Sequence, residues 1–354
     1  MAATLVQMIE MMITYEASDL HLVAGHPPHV RIHGDLLPVQ GELALSEAAT
    51  FDLIKPLMNE TQQAVYEEKK EVDFSYQYGD KARFRVNVYT QRGSIAAALR
   101  LIPIRIKTID ELGLPPIIHD MTKIGAGLVL VTGPTGTGKS STLAAMIQEI
   151  NESRAEHILT IEDPIEFVYE PVKSVISQRE VHEDTLSWTN ALRSSLREDP
   201  DIVLVGEMRD LETIQSALTV AETGHLVFAT LHTNSGPETV DRIIDVFPQH
   251  QQSQVRQQLA ASLKAVVSQR LIQTAQGDAR IAAMEILVNT SAVENLIREG
   301  KTFQIDNVMQ TSSESGMMTM EAHLVQLINS GKITYEAALR KAIRPAELDR
   351  LMGH

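Results

Sequence analysis

Apolar residues recur at Leu5, Met8, Ile9, Met12 and Ile13, a spacing that predicts a core-facing helix within Met1–Tyr15. The period then shortens to two. Ser18-Asp-Leu-His-Leu-Val23 alternates like a strand, Pro27-Pro28 punctuates it, and His29-Val-Arg-Ile-His33 alternates again before the turn signal Gly34-Asp35. A strand meander is expected there. Residues 46–69 read as helical. Val72–Gln77 and Ala82–Tyr89 read as strands joined by Gly79-Asp80, and Ser94–Ile102 as a further strand. Pro103, Pro115 and Pro116 break the pattern, so a linker at 106–116 separates an α+β domain at 1–105 from a second domain at 117–354.

Beyond the linker, the apolar runs are continuous rather than alternating. Leu128–Thr132, His157–Glu162, Ile202–Gly206 and Leu226–Thr230 are separated by helical segments, the pattern of a mostly parallel sheet buried on both faces. Residues 250–354 read as largely helical, with one strand at Ile281–Val288. The expected fold is therefore α/β in the larger domain, with a smaller N-terminal α+β domain. No internal repeat or low-complexity segment is evident.

Composition narrows the function. With 354 residues, two domains are expected, and 44% apolar with 22% charged residues is ordinary for a globular chain. The formal net charge of -15 argues against a general affinity for nucleic acid, which a basic surface would mark. The absence of cysteine excludes disulfides and thiolate zinc sites. The N-terminus carries Glu10 and lacks a basic region and a cleavage site, so it does not read as a signal peptide. No run of 18 apolar residues marks a transmembrane helix, and the expected location is the cytoplasm.

The chemistry concentrates where the strands end. Gly133-Pro-Thr-Gly-Thr-Gly-Lys-Ser140 follows the run Gly127–Thr132 and precedes a helix expected over Ser141–Ile150, the context that makes GxxxxGK[ST] a P-loop. Gly133, Gly136 and Gly138 let the backbone wrap phosphates closely, with Pro134, Thr135 and Thr137 between them. The amides then face the anion at a helix N-terminus, up to Ser141. Lys139 supplies positive charge to the β/γ-phosphates, and the Ser140 hydroxyl can ligate Mg²⁺. A P-loop on the first of these strands points to a RecA-like core that binds ATP.

Three further clusters follow, at the strand ends where ligands sit in open α/β sheets. Thr160-Ile-Glu-Asp-Pro-Ile-Glu166 sets Glu162, Asp163 and Glu166 beyond a strand, as an acid that orients water would require. A plain acidic loop is the competing reading. Asp201-Ile-Val-Leu-Val-Gly-Glu207 has the form of a Walker B strand, with Glu207 where a Mg²⁺ or water ligand belongs. His225 and His232 flank the strand Leu226–Leu231 and either read the γ-phosphate or are satisfied structural residues. Arginine is needed against the departing phosphate. Arg85, Arg100, Arg193, Arg197 and Arg209 are candidates, and spacing does not choose among them.

Together these strings resemble the secretion ATPase superfamily over almost the whole chain, and within it the type IV pilus retraction ATPases. The matching segments are Ala17–Leu22, the P-loop, ILTIEDPIEFVYE at 158–170, ALRSSLREDPDIVLVGEMRD at 191–210, AETGHLVFATLHTNS at 221–235 and DRIIDVFP at 241–248. The resemblance implies that the N-terminal domain is PAS-like and that Glu166 is the catalytic glutamate. It also implies that Glu207 helps hold Mg²⁺, that His225 and His232 form a histidine box, and that Arg85 and Arg100 serve the nucleotide. The roles of Glu166 and Glu207 are exchangeable at this level. It further implies a homohexameric ring at the inner face of the cell membrane, peripheral to it through a PilC-like platform protein. A second retraction ATPase is a further implied partner, and nucleic acid is not. The missing four-cysteine insertion favours the retraction branch. Ala292–Lys301 resembles the retraction motif AIRNLIREGK but has Val293 and Glu294 in place of Ile and Arg, which leaves open an accessory, PilU-like retraction ATPase. Met318 is a departure in Gly316–Met320. Two rival classes are a nucleic-acid translocase, which the charge disfavours, and a nucleotide-binding regulatory module without hydrolysis, which the full set of acids disfavours.

Overall fold

The computed structural model describes residues 4–353 except Glu16, His33, Asp80, Pro103, Ile104 and Asp278. The expectations for Met1, His33, Asp80 and Pro103 lie outside the described residues. The chain divides into two compact units, 1–105 with 166–168, and 106–165 with 169–354. Among the described residues, no helix is long and apolar enough to cross a membrane.

The first unit is one antiparallel sheet with helices on one face. Its strands are β1 (Asp19–Val23), β2 (His29–Ile32), β3 (Asp35–Pro38), β4 (Glu71–Tyr78), β5 (Ala82–Gln91) and β6 (Ser94–Ile102), in the order β3-β2-β1-β6-β5-β4. The helices are α1 (Leu5–Thr14), α2 (Glu47–Ile54) and α3 (Glu60–Lys69). Thr4 starts α1 through a capping box with Gln7, and Asn59 starts α3 through the same device with Gln62. Strict alternation sends Leu20, Leu22, Phe84, Val86, Val88 and Leu99 into a core shared with Met8, Ile9 and Met12. The opposite face is polar. Arg31, Asp19, Arg100, Arg85 and Ser75 lie in one cross-strand row over β2, β1, β6, β5 and β4. The strand β3 was not expected, because all four of its residues are exposed and carry no buried-face alternation.

The second unit is a seven-stranded sheet in the order β13-β12-β7-β11-β10-β8-β9. Its strands are β7 (Gly127–Thr132), β8 (His157–Glu162), β9 (Val175–Glu180), β10 (Ile202–Val205), β11 (Leu226–Leu231), β12 (Leu263–Gln273) and β13 (Arg280–Val288). All pairs are parallel except β12 with β13. Every residue of β7, β10 and β11 is buried, which is why their runs are continuously apolar. The helices are α4 (Ile117–Met121), α5 (Lys139–Ser153), α6 (Trp188–Ser195), α7 (Leu211–Glu222), α8 (Gly236–Asp245), α9 (Gln249–Ser262), α10 (Ser291–Glu299), α11 (Ile305–Thr311), α12 (Met320–Asn329), α13 (Tyr335–Leu339) and α14 (Pro345–Met352). The expectation of a single strand after residue 250 is corrected: β12 pairs with both β7 and β13. It follows α9 with no glycine or proline between, so no break announces it.

Candidate nucleotide-binding site

The phosphate loop is tied to the sheet at both ends. Thr132 closes β7, and its hydroxyl bonds that of Ser268 on β12 at 2.9 Å. A Cβ on Gly133 would fall 2.4 Å from the Gln269 carbonyl oxygen, so only glycine fits there. At the other end Gly138, with φ at +87°, caps α5 and contributes no side-chain hydrogen bond. The first-turn amides of a 15-residue helix are therefore left for an anion. Between the ends, Gln269 Nε2 donates to the Thr137 carbonyl at 2.7 Å, while Gln269 Oε1 accepts from the Thr142 hydroxyl at 2.8 Å. Pro134, Thr135 and Gly136 are exposed, and Thr137 to Ser141 are half-buried. Lys139 Nζ donates to the carbonyls of Gly133 at 2.8 Å and Pro134 at 3.2 Å, which folds the ammonium back onto the loop. The Ser140 hydroxyl makes no hydrogen bond among the described residues. Gln269 escaped the sequence reasoning. Its only signal is the polar pair Ser268-Gln269 inside an apolar run.

Parallel register brings the acidic and histidine clusters beside this loop. Leu231 is opposite Thr132, and Val205 is opposite both Ala229 and Ile161. The chain leaving β11 at His232 is thus a neighbour of Gly133, and the chain leaving β10 reaches Glu207 beside it. His232 Nε2 donates to Glu207 Oε1 at 3.0 Å, and Arg209 donates to Oε2 at 2.8 Å. Asp210 caps α7 by accepting from the Thr213 amide at 2.8 Å, which fixes the segment carrying Glu207 and Arg209. Burial pushes the Glu207 carboxyl up, but the Arg209 hydrogen bond and the charges of Arg209, His232 and Lys139 outweigh it and hold it below its ordinary value. Glu207 is thus an ionised carboxylate at neutral pH, within the field of the loop lysine. Glu162 is buried at the end of β8 and accepts from the Thr160 hydroxyl at 2.8 Å. Glu166 lies beyond it, exposed, in the stretch 166–168 that groups with the first unit.

Among the described residues, no group of three or more His, Asp or Glu side chains could hold a metal ion unaided. Magnesium does not need one, since it keeps waters and takes substrate phosphates beside one or two protein ligands. The free Ser140 hydroxyl and the ionised Glu207 fit that demand, and the cradle that a Cβ at Gly133 would fill fits the phosphates.

Comparison with known proteins settles the family. The model for the type II/IV secretion system protein family matches residues 1–352. The chain belongs to that family. It is 50% identical over 329 residues to the type IV pilus retraction ATPase PilT of Pseudomonas aeruginosa, covering 93% of this chain and 95% of that one. It is 51% identical over 321 residues to a twitching motility protein of Neisseria gonorrhoeae, covering 90% and 85%. A crystal structure of the pilus retraction motor PilT with bound ADP matches it with a TM-score of 0.92 and 46% identity, over 98% of this chain and 99% of that one.

In this member of the secretion family, the two histidines do not share a site. His232 reaches Glu207, whereas His225 precedes β11 and bonds the Val220 carbonyl and the Thr223 hydroxyl, both at 3.0 Å. A strand of six residues separates them by roughly 20 Å. His225 is therefore out of reach of a phosphate on its own loop. Of the arginines, the structure brings Arg209 to Glu207. Arg193 and Arg197 are exposed, with no ion pair among the described residues. Arg85 and Arg100 face each other across β5 and β6, with Nε of Arg85 3.1 Å from Asp73 and Nε of Arg100 2.8 Å from Asp19. The charge reversal at Glu294 has a local explanation: Glu294 pairs with Arg298 one turn later on α10, while Val293 fills the core.

Proposed function

We propose that this chain is a Mg²⁺-dependent ATPase that powers retraction of type IV pili and twitching motility as a homohexameric ring. The ring would work at the cytoplasmic face of the inner membrane, against a PilC-like platform protein and with or without a second retraction ATPase. The observation that carries the ATPase reading is the locked phosphate loop with the ionised Glu207 beside it. The half-identical retraction ATPase of Pseudomonas aeruginosa supports the biological role.

In this reading the amides from Gly136 to Ser141 bind the β-phosphate and Lys139 turns to the β/γ-phosphates. Ser140 and Glu207 would hold Mg²⁺, which when bound neutralises phosphate charge. Glu207 is held below its ordinary pKa beside Arg209 and Lys139, which suits a charge ligand and disfavours a proton acceptor. Glu166 is then the residue that orients the attacking water, and His232 senses the γ-phosphate through Glu207. Arg209 is held by Glu207. As the family resemblance implies, Arg85 and Arg100 on the polar face of the PAS-like domain at 1–105 would meet the developing charge. His225 takes no part on its own chain.

The test uses purified protein and two variants. Lys139→Ala should abolish ATP turnover while leaving the fold largely intact, with a single cooperative urea transition retained. Glu166→Gln should bind ATP with near-normal affinity and turn it over more slowly by about a hundredfold or more. Normal turnover in Lys139→Ala would sink the site, and normal turnover in Glu166→Gln would move the water-orienting role to Glu207.

A further inference from the structure

The second unit holds a cavity of about 750 Å³ that shares no residue with the phosphate loop, Glu207 or His232. It opens between residues 113–117, the segment 309–319, α12 and α14. Its volume lies in the range of small-molecule sites, and its apolar lining includes Leu114, Ile117, Met309, Met317, Met318 and Leu327. Methionine is the residue type that adapts to ligands of varied outline. One wall is tightly fitted: Gly316 has φ at +81°, and a Cβ there would fall 2.1 Å from Ile117 Cδ1.

His323 and Lys332 are two of the polar groups on the lining of this cavity. His323, only 5% exposed, lines the cavity. Its Nδ1 accepts the Met284 amide of the edge strand β13 at 2.9 Å, which places the ring proton on Nε2. That N–H donor has no acceptor among the described residues. The donor is open to the cavity, where it is available to an acceptor on a bound ligand. Burial, with the Lys332 charge adding to it, pushes the His323 ring down to about 4, and the ring is neutral at physiological pH. Lys332 lines the same cavity, is exposed, and makes no ion pair among the described residues. The other charged residues of the lining are Glu347, which is held by Arg344 at 3.0 Å, and Arg350, which meets the same Glu347 carboxylate at 3.9 Å.

We propose that this cavity binds an amphipathic monoanion of the alkyl-carboxylate class, its tail among the methionines and leucines and its head between His323 Nε2–H and the Lys332 ammonium. A neutral donor beside one unpaired cation matches one negative charge on an acceptor head. Nothing in this site depends on the ATPase reading, and Lys332 lies outside the nucleotide machinery.

Calorimetric titration of the full chain with octanoate, octanol and octylammonium tests it. Octanoate should saturate one site per chain and bind at least about tenfold tighter than octanol, the scale of one charge-assisted hydrogen bond. Lys332→Glu, an exposed change, should erase that preference and admit octylammonium, with ATP turnover unchanged as the check on folding. Ala322→Leu, which fills the cavity from α12, should weaken all three ligands. Equal binding of octanol and octanoate, indifference of octanoate to Lys332→Glu, or no saturable heat below the micelle concentration of octanoate would each overturn the proposal.

Discussion

Replacing Gln269 by alanine should release the phosphate loop from the sheet that carries it. Gln269 is 3% exposed, and its amide joins Thr137 of the loop to Thr142 of α5. Thr142 is 1% exposed, so its hydroxyl would be left without a partner, at a cost of about 1–3 kcal/mol. The Thr137 carbonyl is half-buried and water can reach it, so the second lost bond is worth about 0.5–1.5 kcal/mol. The sum, roughly 1.5–4.5 kcal/mol, is a large part of a typical domain's stability. Urea unfolding should register it as a lower midpoint at unchanged slope, and steady-state ATP hydrolysis as a raised KM with a smaller change in kcat. A Cβ on Gly138 would lie 2.9 Å from Gln269 Nε2, so Gly138→Ala suffers that overlap in addition to about 1–2 kcal/mol for its positive φ. The Gln269→Ala background removes the overlap and leaves the strain. The double variant should therefore be less destabilised than the sum of the singles, by about 0.5 kcal/mol or more. Additivity within about 0.3 kcal/mol would refute the claim that the Gln269 amide packs against the loop.

Glu285 and Glu294 give two further tests. Burial pushes the Glu285 carboxyl up to about 7, against the pull of the Gly236 amide and Arg344, so the folded state binds its proton more tightly than the unfolded chain. The stability this group contributes is full below pH 4.5 and is lost as pH rises through 7. Unfolding of Glu285→Gln measured against the parent should accordingly gain roughly 1–3 kcal/mol in relative stability from pH 5 to 8, and a flat difference would count against the burial argument. Glu294→Arg exchanges the pair with Arg298 for a repulsion at the same spacing, and should cost about 0.5–1 kcal/mol in urea unfolding. The loss should shrink in high salt, and a salt-independent loss would point to packing instead.

What could be read ahead of the structure was local. The loop's own phosphate-facing residues, from Gly133 to Ser140, fall within eight residues after a buried strand. The strands β7, β8, β10 and β11 were legible because nearly all of their residues are buried, which forces apolar runs. The edge strand β9 was not legible, because only its last residue is buried and Val-Ile-Ser-Gln-Arg-Glu has no run to recognise. The strand β12 hid for a different reason. Its residues Ser268 and Gln269 are polar because they serve Thr132 and the phosphate loop, so the feature that makes the strand functional also breaks its hydrophobic pattern.

The histidines show the reverse case, in which strand geometry alone separates two residues that flank the same strand. Both were noticed because they flank one strand. Yet a strand advances about 3.3 Å per residue, so residues at its two ends lie on opposite edges of the sheet. In a parallel sheet only the carboxyl edge meets the ligand. That geometry already separates His232, which follows β11, from His225, which precedes it. The choice of cation beside Glu207 was not available in this way. Arg193, Arg197 and Arg209 all lie within about a dozen residues of β10, and only the turn fixed by the Asp210 cap directs Arg209 back to the carboxylate. A helix cap is a local signal, but the direction it gives the preceding loop depends on where α7 packs, and that is set by the core residues Ile214, Ala217, Leu218 and Ala221 against the sheet.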